Sequence, residues 1–158
     1  MAALLQQVMQ TFHINIHTRP LGLRRGEDYW LSCRAIPTLA VARSDNLPLD
    51  VTFDQACKSL AVLPRMLIEP DGSFVWAGTW NRLVDRTDDR SDSWQLEGVL
   101  YDQGDRLVYV ELRGICSEMA FDQMIGALGW PDVPLMFQLT AAAVYIDEET
   151  FRQVVFSS

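Results

Sequence analysis

The sequence predicts an α+β domain: a largely antiparallel β-sheet built from hairpins, with three to four helices packed mainly on one face. Three observations carry this. Apolar and polar residues alternate over short segments, the period of a half-buried strand. Those segments come in pairs joined by turns rich in Gly and Pro. The stripes with helical period are few, and most are bracketed by a cap and a breaker.

Taken in order, residues 2–12 place Leu5, Val8, Met9 and Phe12 at i, i+3, i+4 and i+7, one apolar face of a helix. "FHINIH" then alternates Phe12, Ile14 and Ile16 against His13, Asn15 and His17, which reads as a strand closed by Arg19-Pro20. "YWLSC" and "TLAVA" are further short strands on either side of Pro37, and "RSDNLPLD" is a loop. In "TFDQACKSLAVLP", Thr52 caps a helix whose stripe is Phe53, Ala56, Cys57 and Leu60, stopped by Pro64. "MLIEPDGSFVWAG" is a hairpin, with Pro70 and Gly72 supplying the turn.

The polar stretch from Thr79 to Ser93 is a long loop. A second hairpin joins "WQLEGVLYD" to "RLVYVELRG" through Gln103-Gly104, with Leu107, Tyr109, Glu111 and Arg113 on one side and Val108, Val110 and Leu112 on the other. Ser117 caps the next helix, with stripe Phe121, Met124, Ile125 and Leu128, ended by Gly129 and Pro131. "PLMFQLT" and "AAVYID" form a last strand pair, and Asp147 caps a closing helix that turns Phe151, Val154 and Val155 inward. The tripeptide "FDQ" opens both the 53–55 and 121–123 helices, and each helix is followed by two strands, a weak internal echo of helix-strand-strand order.

With 158 residues, the chain has the length of a single domain, 1–158. A hydrophobic share of 49% rules against disorder, and no apolar run approaches the length of a membrane span. The first ten residues lack a basic leader, so a cytoplasmic location is expected. Cys33, Cys57 and Cys116, odd in number and widely spaced, fit reduced thiols. A net charge of −8 disfavours nucleic acid as a partner.

The chemistry-bearing candidates are few. His13 and His17 are four apart, the spacing at which a helix presents two metal ligands. On a strand those positions lie about 13 Å apart, and Ile14 stands where a zincin's glutamate would. Cys116 precedes a helix N-cap, where a thiol pKa is lowered and a nucleophile is made. The acidic run 85–94 misses the EF-hand template, since Arg90 and Leu96 fill the sixth and twelfth places counted from Asp85. Serine-hydrolase, P-loop and dinucleotide fingerprints are absent, and no cofactor is expected. Trp76, Trp80 and Trp94 bracket the acidic loop, and tryptophans beside polar loops are enriched at protein interfaces.

The expectation is a small acidic non-enzymatic protein-interaction module, adaptor or chaperone-like, with self-association as a homodimer. Its size, acidity and mixed element order are similar to those of small secretion chaperones, a likeness that no motif carries. The alternatives are a metal-dependent or cysteine-based enzyme using His13, His17 or Cys116, and a small-ligand binder on the sheet face.

Overall fold

The alternation of Phe12, Ile14 and Ile16 builds β1 (Phe12–Thr18), the strand around which the sheet is organised. The computed structural model describes residues 11–81, 83–85 and 92–156. The helix expected over 2–12 therefore lies almost wholly outside the described residues. Phe12, the last member of its stripe, is instead the first residue of β1, and its ring packs edge-on against Phe121 and Phe151.

Seven antiparallel strands form the main sheet in the order β4 (Met66–Ile68), β5 (Ser73–Thr79), β6 (Ser93–Gln103), β7 (Arg106–Ile115), β1, β8 (Leu135–Leu139) and β9 (Val144–Asp147). Among the described residues three α-helices accompany the sheet: α1 (Phe53–Ala61), α2 (Glu118–Gly126) and α3 (Glu148–Val155). Each starts at a side chain that accepts a backbone N–H: Thr52 from Gln55, Ser117 from Ala120 and Asp147 from Thr150. The α+β class read from the sequence is the class observed. Helix α1 leads into the β4–β5 hairpin at one end of the sheet, and α2 into the β8–β9 hairpin at the other.

Burial divides the sheet into two faces. Phe74, Trp76, Leu96, Leu100, Val110, Leu112, Ile14, Ile16, Phe137 and Ile146 point one way and form one core with the inner stripes of all three helices. Two glycines make that face flat enough for rings. Phe74 lies over Gly98, its cross-strand partner, and Trp94 over Gly78. A Cβ on Gly98 would fall 2.1 Å from the Phe74 ring. Gly98→Ala is therefore expected to lower stability by about 1–3 kcal/mol, the usual range for overpacking, read as a fall in the urea midpoint.

The structure departs from the sequence reading in three local places. "YWLSC" is a strand only as far as Leu31; Ser32 and Cys33 sit at φ 48° and 66° and turn β2 (Tyr29–Leu31) into β3 (Arg34–Ile36), a separate hairpin. Positive φ at both turn residues is what a two-residue hairpin loop requires, and Ser-Cys gives no sign of it in the sequence. "TLAVA" forms no strand; Leu39 alone bridges Arg25 on one side and Tyr145 on the other. In β7, Tyr101 opposes Tyr109 while Asp102 opposes Leu107, so Val108 is an extra residue in a bulge. The bulge reverses the phase, and Leu107 joins Val110 and Leu112 in the core rather than facing outward with Tyr109.

Where α2 meets α3, Arg152 is enclosed by acidic groups. Its guanidinium pairs with Asp122 at 2.6 Å, Glu148 at 2.9 Å and Glu118 at 3.3 Å, and stacks over Trp130 and Phe121. Burial alone would lower its pKa, but the hydrogen bonds to Asp122 and Glu148 more than offset that and raise it.

Candidate functional site

The three α-helices of the described residues share the core face, so among those residues the other sheet face carries no helical layer. Strand register assigns that face row by row. Leu67, Val75, Glu97, Arg113 and His13 make one row across β4, β5, β6, β7 and β1. Ser73, Val99, Glu111, Asn15, Gln138 and Tyr145 make the next. Tyr101, Tyr109, His17, Met136 and Asp147 make the third.

The polar side chains at the centre of the face are paired with one another. Arg113 donates through Nε to Glu97 Oε2 at 2.9 Å, and the Arg113 Nη2 lies 2.7 Å from the same oxygen. His13 Nε2 is 3.3 Å from Glu111, and Asn15 donates to Gln138 at 3.2 Å. Cross-strand pairs of this kind help hold the sheet together. The third row is aromatic: Tyr101 stacks on Tyr109 at 4.5 Å, and Tyr109 on His17 at 5.3 Å.

The sequence candidates are dispersed. His13 and His17 both project from the strand onto this face, but to different ends. His13 is exposed beside Glu111, whereas His17 is sealed between Tyr109 and Tyr145. The polar side of the alternation is therefore not uniformly open to water, because neighbouring aromatic rings cover His17. Among the described residues no cluster of three or more His, Cys, Asp or Glu side chains is placed to hold a metal ion. Cys116 is fully buried on the helix-covered side, away from both histidines. Burial pushes its thiol far above the ordinary range, with the Asp85 and Asp122 charges adding to the effect. The helix N-terminus that should favour a thiolate is present, but desolvation outweighs it.

Trp76, Trp80 and Trp94 are likewise buried rather than presented. Trp76 and Trp94 pack edge to face at 5.0 Å, and the Trp76 indole donates to the Pro64 carbonyl at 2.8 Å. The residues that sequence reasoning took for an interface are thus the wall beneath β5 and β6. Most of the acidic run, 86–91, lies outside the described residues; Asp85 accepts the Asn81 N–H at 2.7 Å.

What the sheet does leave open is its β4 edge. Glu69 N–H bonds the Ser73 carbonyl, so in the alternating antiparallel pattern Leu67 bonds inward to Val75, while the backbone groups of Met66 and Ile68 point away from the sheet. The Met66 N–H is occupied by the Leu63 carbonyl. The Met66 carbonyl and both Ile68 groups have no partner strand among the described residues. Beside this edge Leu67 is 71% exposed and Val75 37% exposed, the apolar end of an otherwise polar row. A signal for the edge does exist in the sequence, where Pro64 and Pro70 flank the short strand, since proline in sheets is confined to edges and strand ends.

No known protein family, curated protein or solved structure matches the chain. Among the described residues no helix is long and apolar enough to cross a membrane.

Proposed function

We propose that this chain is a non-enzymatic protein-interaction module of the cytoplasm, adaptor or chaperone-like, which takes a partner's β-strand along its β4 edge. The observation that carries the reading is an edge strand whose outer side has no partner strand among the described residues, with an exposed leucine at its centre and Val75 beside it. Adding a strand there uses backbone hydrogen bonds for affinity and the Leu67–Val75 strip for selection. The mutually paired side chains at the sheet centre, the buried Cys116 and the different settings of His13 and His17 favour binding over catalysis. A net charge of −8 favours a protein partner over a nucleic acid, and free cysteines suit a reducing compartment.

The test is a photo-crosslinking amino acid placed at position 67 and, as a control, at the exposed Met119 of α2, with the chain expressed in its native cell. One dominant protein adduct is expected at 67, lost on Val75→Lys, with none at 119. Adducts at both positions alike, or at neither, overturn the reading.

A further inference from the structure

We infer that the strand accepted by the β4 edge is β4 of a second copy, paired antiparallel about a two-fold axis through Leu67. This rests on the interaction reading above and names its partner. The segment "PRMLIEP", residues 64–70, is self-complementary about its central residue. A two-fold antiparallel pairing centred on Leu67 sets Arg65 opposite Glu69 of the other copy, and Glu69 opposite Arg65. Both residues are exposed, and neither has an ion-pair partner among the described residues.

Within β4 the backbone agrees with that register, and Arg65, at φ 64°, stands at the turn leading into the strand. Met66 then opposes Ile68 of the second copy, and these are the residues whose groups point away from the sheet. Each Ile68 N–H donates to the facing Met66 carbonyl, giving two hydrogen bonds across the seam. The two Leu67 residues form the intervening non-hydrogen-bonded pair, the position where opposed side chains come closest. Val62, 80% exposed at the C-cap of α1, gives the helix-covered side of the same rim an apolar residue of its own.

A short strand between prolines is also how proteins protect an edge from aggregation. This edge lacks the central charge or bulge that also protects edges, however, and carries leucine there. The flanking prolines, which lack an N–H, confine pairing to one register and end it after one partner. The product is a closed dimer, with the two sheets continuous and α1, α2 and α3 of both copies on one side. So short a seam belongs with the weak interfaces, below about 1,200 Å².

Sedimentation velocity of the full chain from about 1 to about 500 µM, a range that brackets a weak dimer's dissociation constant, tests this. Arg65→Glu alone and Glu69→Arg alone are each expected to weaken the dimer about tenfold or more, because each replaces two attractive pairs by two repulsive ones. An equimolar mixture of the two variants restores every opposite-charge pair and is expected to dimerise like the wild type. Leu67→Lys is expected to be monomeric. A wild type that stays monomeric throughout, single variants that dimerise undiminished, or a mixture that does not recover each overturns the proposal. A monomeric wild type whose position 67 still crosslinks to a different protein removes self-pairing alone; failure of both experiments removes the interaction reading as well.

Discussion

Phe151→Ala is expected to lower the stability of the fold by about 3–5 kcal/mol, the largest effect of any single truncation considered. Phe151 is fully buried on the inner face of α3 and touches four other rings. Its centroid lies 4.9 Å from Phe121 on α2, 4.9 Å from Phe137 on β8, 5.4 Å from Phe12 on β1 and 6.1 Å from Phe156. The ring is thus the shared contact between two helices and the central part of the sheet. Its removal forfeits the transfer energy of a large side chain and opens a cavity lined by groups that are fixed on three different elements. Aromatic pairs add roughly 0.5–1.5 kcal/mol each beyond area burial. A domain stable by about 5–15 kcal/mol would lose a large part of its margin. Urea unfolding checks this: the midpoint should fall with the slope unchanged. Phe151→Leu, which keeps most of the volume, should recover more than half of the loss. A loss below about 1 kcal/mol for the alanine variant would mean that the ring cluster does not bear the helix–sheet packing assigned to it.

What could be read from the sequence was local. The caps at Thr52, Ser117 and Asp147 each need only residues three positions ahead, and all three form as the sequence implies. The alternation in β1 and the stripes of the three described helices also survive, because period and face are properties of one segment. The misreadings concern distant partners. Whether Trp76 and Trp94 face solvent depends on which side of the sheet the helices occupy, and that is settled by packing across elements far apart in sequence. The bulge at Val108 depends on the register between β6 and β7, and a single inserted residue there changes the face of Leu107. The candidate site was partly legible. Prolines on both sides of "RMLIE" mark an edge, but only the strand order, with β4 outermost, shows that nothing in the described chain covers it. His17 was the least legible of all, since its alternation partners His13 and Asn15 stay at least partly accessible while its own neighbours, two tyrosines, come from β7 and β9.

That placement makes His17 an acid-sensitive point. The imidazole is only 9% exposed, and its Nε2 has no hydrogen-bond partner among the described residues. Burial pushes its pKa down from 6.5 to about 4. The nearest acidic groups on the same face are engaged elsewhere: Glu111 with His13, and Asp147 with the Thr150 N–H at the α3 cap. The folded state therefore holds His17 neutral at a pH where the unfolded chain has already taken up a proton. Between those two values the unfolded state binds more protons, so stability falls as the pH falls. His17 makes its full contribution above about pH 6.5, loses it progressively down to about pH 4, and adds no further slope below. The whole step amounts to about 3 kcal/mol, at 1.36 kcal/mol per pH unit. Carboxylates titrate at the lower end of the same window, so the experiment is a difference between two proteins. Urea unfolding at pH 7, 5.5 and about 4.5 should show the wild type losing stability faster than His17→Phe, a variant that keeps an aromatic ring against Tyr109 and cannot be charged. In parallel, the His17 ring proton signals should titrate with a midpoint near 4. Parallel stability curves for the two proteins, or a ring titrating above about pH 6, would show that water reaches His17 and that the aromatic row does not seal it.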